Sequence, residues 1–148
     1  MAMRISLIGA GDCPESIYES ARELGRILAE RGHELICGGL GGVMEAAAKG
    51  ASQAGGRVIG ILPGPDPSKA NPFVTCAVAT DLGIMRNYLV VLNGEAAIAV
   101  SGGYGTLSEI AMARQLGRKV VHLHGRHAVE GVISAVSPQE AAELAESA

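Results

Sequence analysis

Residues 96–106 read Ala96-Ala97-Ile98-Ala99-Val100-Ser101-Gly102-Gly103-Tyr104-Gly105-Thr106. Five apolar residues without polar alternation predict a strand covered on both faces, as strands of parallel sheets are. A glycine-rich turn follows and runs straight into a helical pattern from Thr106 to Leu116, closed by Gly117. A strand–turn–helix joint of this kind aims free N–H groups and the positive end of a helix at an anion. Glycine suits it because a Cβ would obstruct a phosphate and because such turns use positive φ.

The same alternation extends outward on both sides. Upstream, strands are predicted at Arg4–Ile8, Glu34–Cys37, Arg57–Leu62 and, briefly, Val74–Ala79. Helices are predicted at Glu15–Arg31, Val43–Ala54 and Leu82–Asn93, the first two closed by Gly32 and Gly55-Gly56. Residues 63–73 hold four of the six prolines and read as a connecting loop. Downstream come strands at Lys119–Leu123 and Val132–Val136, then a helix from Pro138 to Ser147. The expected architecture is a doubly wound α/β fold: a three-layer, Rossmann-like sandwich on a mainly parallel sheet. The 148 residues are expected to form one domain, 1–148.

Composition narrows the function. Hydrophobic residues make up 48% and charged residues 18%, enough for a true core. Aromatics are only 3%, so that core must be aliphatic. A net charge of −3, with no basic stripe, argues against a nucleic-acid polymer as partner. A small phosphorylated ligand remains compatible, because backbone N–H groups bind phosphate without net positive charge. Three scattered cysteines (Cys13, Cys37, Cys76) form no CxxC pair, so neither a disulfide framework nor a zinc knuckle is expected. No apolar run is long enough for a membrane helix, and the N-terminal segment reads as a strand, so the expected location is cytoplasmic.

Three glycine-rich turns fall at expected strand ends: Gly9 to Gly11, Gly38 to Gly42 (with Gly39), and Gly102 to Gly105. Ligands of doubly wound folds sit at the carboxyl ends of the strands. The first turn lacks the third glycine of a dinucleotide fingerprint, and the second strand ends in Cys37-Gly38 without an acid. The Walker lysine pattern is also missing.

The runs Gly38-Gly39-Leu40-Gly41-Gly42-Val43-Met44-Glu45, Gly55-Gly56-Arg57 through Leu62-Pro63-Gly64, Met85-Arg86-Asn87, and Gly102-Gly103-Tyr104-Gly105-Thr106-Leu107-Ser108-Glu109 together resemble the Lonely Guy (LOG) superfamily. The likeness runs in order from residue 4 to residue 123 and is strongest to the short branch that includes molybdenum-cofactor carrier proteins. The resemblance implies two functions. The carrier branch shelters a pterin-type phosphorylated cofactor. LOG hydrolases cleave the N-glycosidic bond of nucleoside 5′-monophosphates, AMP or cytokinin-type, with residues matching Glu109 and Arg86 here. Ser101 replaces the hydrolases' proline, Ser108 a frequent glutamate, and Asn87 a frequent lysine. These departures favour a nucleotide- or pterin-binding carrier, with the phosphoribohydrolase as the alternative. The implied ligand set is Gly9, Gly11, Gly38, Gly39, Gly42, Met44, Arg86, Asn87, Gly102, Gly103, Tyr104, Gly105 and Thr106. No cofactor is required beyond a bound nucleotide or molybdopterin-type ligand. A homodimer or higher homo-oligomer is implied, with Met85, Leu89 and Leu92 as a candidate face.

Several candidates have plain structural readings. Thr106-x-x-Glu109 has the spacing of a capping box, in which Glu109 only satisfies a backbone N–H. Its other reading is a carboxylate facing a ligand ribose. Arg86 reads as a phosphate clamp or as a solvated side chain. Glu45 reads as a first-turn charge, and Cys13 and Cys37 as small core residues. His122 and His124 would share one strand face with His127 nearby, but no carboxylate or cysteine completes a metal set, and none is expected.

Overall fold

The computed structural model describes residues 2–147. Seven strands form one sheet in the order β4-β3-β2-β1-β5-β6-β7, and every pairing is parallel. They are β1 (Arg4–Gly9), β2 (Glu34–Cys37), β3 (Val58–Leu62), β4 (Cys76–Ala79), β5 (Ala96–Val100), β6 (Lys119–Leu123) and β7 (Ile133–Ala135). The helices are α1 (Glu15–Glu30), α2 (Val43–Gln53), α3 (Arg86–Leu92), α4 (Tyr104–Gln115) and α5 (Pro138–Glu146). The expected Rossmann-like sandwich is present, and its sheet is wholly parallel.

Strand alternation builds the two faces. Ile5, Leu7, Leu35, Cys37, Ile98, Val100 and Val121 pack beneath α1, α2 and α5. Ile8, Ile36, Ile61, Ala97, Ala99 and Val120 pack beneath α3 and α4. Both faces of the central strands are therefore apolar, which is why their sequences are continuous apolar runs. Ser6 on β1 and His122 on β6 are polar exceptions, and the buried Ser6 hydroxyl donates to Val90 O at 2.7 Å.

Helices α1, α2 and α4 end in one device. After α1, Gly32 N–H bonds Ala29 O and His33 N–H bonds Leu28 O. Gly55-Gly56 and Gly117-Arg118 repeat that double closure after α2 and α4. The first residue past each cap takes a left-handed φ, which glycine adopts without strain. Helix α5 has Pro138 at its first position, and the Ser137 hydroxyl accepts from Glu140 N–H.

Two expected helices begin elsewhere. The Leu82–Asn93 segment starts as a 3₁₀ turn, Gly83–Met85, because Gly83 has φ +60, and turns α-helical only at Arg86. Helix α4 begins at Tyr104, two residues before Thr106, with Gly103 at the cap and no side chain capping it.

Candidate functional site

The winding direction reverses between β1 and β5, the neighbouring strands from which the sheet grows in opposite directions. That reversal separates the turns leaving their carboxyl ends and opens a crevice there. Its volume is about 280 Å³. The β1–α1 turn contributes Gly9, Gly11 and Asp12, the β2–α2 turn Gly38 and Met44, and α3 Arg86 and Asn87. The β5–α4 joint contributes Gly103, Gly105, Thr106 and Glu109. Segments distant in sequence thus meet at one place. Gly39, Gly42, Gly102 and Tyr104 are not in its wall. Asp12 is, and the sequence reading passed over it.

The glycine turns do different work. A Cβ on Gly42 would lie 2.3 Å from Ala10 O, so this glycine lets α2 abut the β1–α1 turn. Val43 N–H then donates to Ala10 O at 2.9 Å, which spends a first-turn donor of α2. Asn71 fixes the same turn from outside: its backbone N–H donates to Gly39 O and its side-chain amide to Leu40 O. The proline-rich segment is therefore an anchoring connector rather than a lid. Gly102 has φ +107, and a Cβ there would strike Thr106 Oγ1 at 2.2 Å. Gly103 and Gly105 differ, since a Cβ on either would meet nothing within 4 Å. They leave open space before the uncapped first turn of α4, whose N–H groups and dipole favour an anion.

Arg86 is the cation of the crevice, only 9% exposed. Nε–H donates to Ile61 O at 2.8 Å, Nη2 to Gly38 O at 3.2 Å, and Nη1 to Asn87 Oδ1. These bonds use three of the five guanidinium N–H groups and hold the plane in place. They also give Asn87 a positioning contact. Burial pulls the Arg86 pKa below its ordinary value, against the opposing charge of Glu109. The solvated reading of Arg86 is excluded by its burial.

Glu109 is 8% exposed and lies on the crevice side of α4. The capping-box reading fails, because Thr106 is the third residue of α4 and not its cap. Burial pushes the Glu109 pKa up to about 7, and the Arg86 charge opposes that rise only in part. A carboxyl poised there can hold or release a proton at neutral pH. Thr106 is buried under Gly102 and closes the floor of the turn. Ser108 points away and donates to Gly105 O. Glu45 lies outside the crevice wall and accepts from the Tyr18 hydroxyl at 2.8 Å. Burial and that bond raise Tyr18 to about 12. Cys37 is buried, its thiol raised by burial to about 11, which keeps it protonated and unreactive.

The histidines do not share a face. His122 is buried on β6, whereas His124 follows the strand with φ +54 and meets Ser20 Oγ of α1 at 2.9 Å. The left-handed residue breaks the alternation that the sequence spacing assumed.

A wholly parallel sheet with an open helix terminus and a buried arginine at its switch point defines a Rossmann-like class of α/β protein. Within it the chain belongs to the SLOG cluster4 family, whose model matches residues 2–147. An uncharacterized protein of Archaeoglobus fulgidus is 48% identical over 94% of this chain and 91% of its own. A protein of Oryza sativa subsp. japonica carries the name "probable cytokinin riboside 5′-monophosphate phosphoribohydrolase". It is 34% identical over 64% of this chain, a match spanning only 43% of the rice protein. Among solved structures, the molybdenum cofactor binding protein of Rippkaea orientalis superposes with a TM-score of 0.91 at 33% identity, covering 97% of this chain and 95% of that one. The molybdenum cofactor carrier protein of Chlamydomonas reinhardtii gives 0.88 at 32%, covering 97% and 96%. These likenesses support a ligand-binding or phosphoribohydrolase-like function.

Proposed function

We propose that the chain is a carrier that holds a phosphorylated nucleotide-like or pterin-type small molecule in the β1/β5 crevice. The observation that carries this reading is the pairing of the open α4 terminus with the fixed Arg86 guanidinium. The phosphate accepts from the first-turn N–H groups of α4, and the guanidinium N–H groups left free complete its contacts. Gly11 lets the planar ring system lie close to the backbone, with Met44 beside it, while Gly38 leaves room for the Arg86 guanidinium. Asp12 accepts from ring amino groups or ribose hydroxyls at the mouth. The full-length likeness to the two molybdenum-cofactor proteins supports a pterin over a nucleotide.

Calorimetry with molybdopterin-type and nucleoside monophosphate ligands tests the proposal. Saturable binding that Arg86→Gln weakens at least about 10-fold is expected, the loss of a charge-assisted bond. Heats indistinguishable from dilution for every ligand would refute it.

Gly105→Leu separates binding from folding. The new Cβ meets no protein atom within 4 Å, and leucine replaces glycine with a good helix former. Stability is expected to hold or rise by up to about 1 kcal/mol. Affinity is expected to drop about 100-fold, because the side chain fills the phosphate approach. Thermal melting and titration of the same sample measure both.

The phosphoribohydrolase reading is favoured by Glu109, whose pKa of about 7 suits proton transfer to a departing base. Release of free base from AMP, lost in Glu109→Gln, is the result that reading requires.

We further propose self-association through the segment leading into α3. Ile84, Met85 and Leu82 are exposed there, continued by half-exposed Tyr88 and Leu92, while Leu89 packs inward. An exposed apolar cluster of this kind marks an interaction surface. Ile84→Glu with Met85→Glu is expected to yield a monomer in sedimentation where the parent chain sediments as a dimer or larger. A monomeric parent chain would remove the idea.

A further inference from the structure

A second cavity lies at the carboxyl ends of β6 and β7, beyond the Ser101–Gly105 turn from the crevice. Its volume is about 590 Å³. Its wall carries His122, His124, Arg126 and His127 and no carboxylate. An adjoining lobe shares His122 and His127 and brings in Glu130. With His124 turned to Ser20 of α1, two imidazoles and one guanidinium remain there, against the chain's net charge of −3. Neither proposed function uses these groups.

Two contacts mark this as more than a solvated basic patch. His122 is 2% exposed, and its Nε2 is buried without a hydrogen-bond partner. A buried polar atom left unpaired is costly, and native structures keep few of them. His127 Nε2 lies 3.2 Å from Gly103 O, so the loop after β6 is tied to the turn that opens α4. Arg126 makes no ion pair among the described residues, which leaves its charge for an incoming group. No group of three or more histidine, cysteine or acidic side chains among the described residues could hold a metal, so the chemistry that fits is an anion's.

We infer that this cavity is a second oxyanion site, built by Arg126 and His127 beside the buried His122 ring. A tetrahedral oxyanion such as phosphate matches it, accepting from the guanidinium and from imidazole N–H groups. The inference stands apart from the crevice reading, since no side chain of this set lines the crevice. Two sources share the chemistry: a free oxyanion, or a second anionic group on a ligand that reaches over the turn.

The test follows the imidazole resonances of the full chain by NMR at about pH 6. Inorganic phosphate is the probe. The expected result is a saturable shift of His122 and His127, retained in Arg86→Gln and weakened about 10-fold in Arg126→Gln. His33 bonds Met3 N and Glu146 at the far side of the fold and should stay fixed as the internal reference. No saturable shift at about 10 mM phosphate would overturn the inference. So would shifts that vanish in Arg86→Gln, which would place the ion in the crevice alone, or shifts untouched by Arg126→Gln. Pyrophosphate identifies the source. Tighter binding than phosphate, with the margin lost in either arginine variant, indicates a bridging ligand, and equal affinity indicates a free ion.

Discussion

Glu109→Gln is expected to raise stability by about 3 kcal/mol at pH 8 and by less than about 1 kcal/mol at pH 5. The folded carboxyl has a pKa of about 7 against an ordinary 4.5, because burial disfavours its charge. Between those values the folded chain binds more protons than the unfolded one. Its stability therefore falls as pH rises through that window, and the contribution is fully lost above the folded value. Glutamine resembles the neutral acid and carries no such penalty. Urea denaturation of both chains at the two pH values reads the difference directly. A variant no more stable than the parent at pH 8 would mean that the carboxylate is solvated in the folded state. The same group couples ligand to protons. An anion placed beside it raises its pKa further, so phosphate binding should tighten as pH falls through about 7. That dependence should flatten in the glutamine variant. A carrier keeps binding its ligand after this substitution, whereas a hydrolase loses about 10²–10⁴-fold in rate.

The strands and helix ends were legible because local chemistry decides them. Continuous apolar runs such as Ala96–Val100 suit only strands covered on both faces, and Gly32, Gly55 and Gly117 stop helices by backbone conformation. The start of α4 was not legible. Thr106-x-x-Glu109 is a sound cap pattern, yet Gly103 lets the helix begin earlier and leaves its terminus bare. A bare terminus has no sequence signature, and it is what an anion site needs. Asp12 escaped for a different reason. It enters the crevice only because β1 pairs with β5, a contact between segments some ninety residues apart in the chain. The turn at Gly83 could have been read, since glycine within a short helical pattern weakens that assignment. The inward aim of Arg86 could not, since it depends on the Ile61 carbonyl of β3 and the Gly38 carbonyl of the turn after β2.

Gly50→Ala is expected to destabilise the chain by more than about 3 kcal/mol, although alanine is the better helix former. Helix α2 crosses α1 at backbone contact. A Cβ on Gly50 would lie 1.9 Å from Arg22 O, and one on Gly25 would lie 2.0 Å from Ala47 O. The obstructing atoms are helical carbonyls, which cannot rotate aside as side chains do. Admitting one methyl group requires the helices to separate, and both rest on the same face of the sheet over Leu24, Leu28, Ala47 and Ala51. Separation loosens that layer and shifts the two turns that open into the crevice, so ligand affinity should fall with stability. Propensity favours alanine by about 1 kcal/mol, well short of the cost of overpacking. Gly105→Ala makes the control, since it adds the same methyl group to a helix with nothing in reach. Denaturation midpoints should move down for Gly50→Ala and up for Gly105→Ala. Gly25→Ala should match Gly50→Ala, but the double variant should cost less than the sum. Both methyl groups force apart one crossing, and once the helices have moved to admit the first, the second finds room.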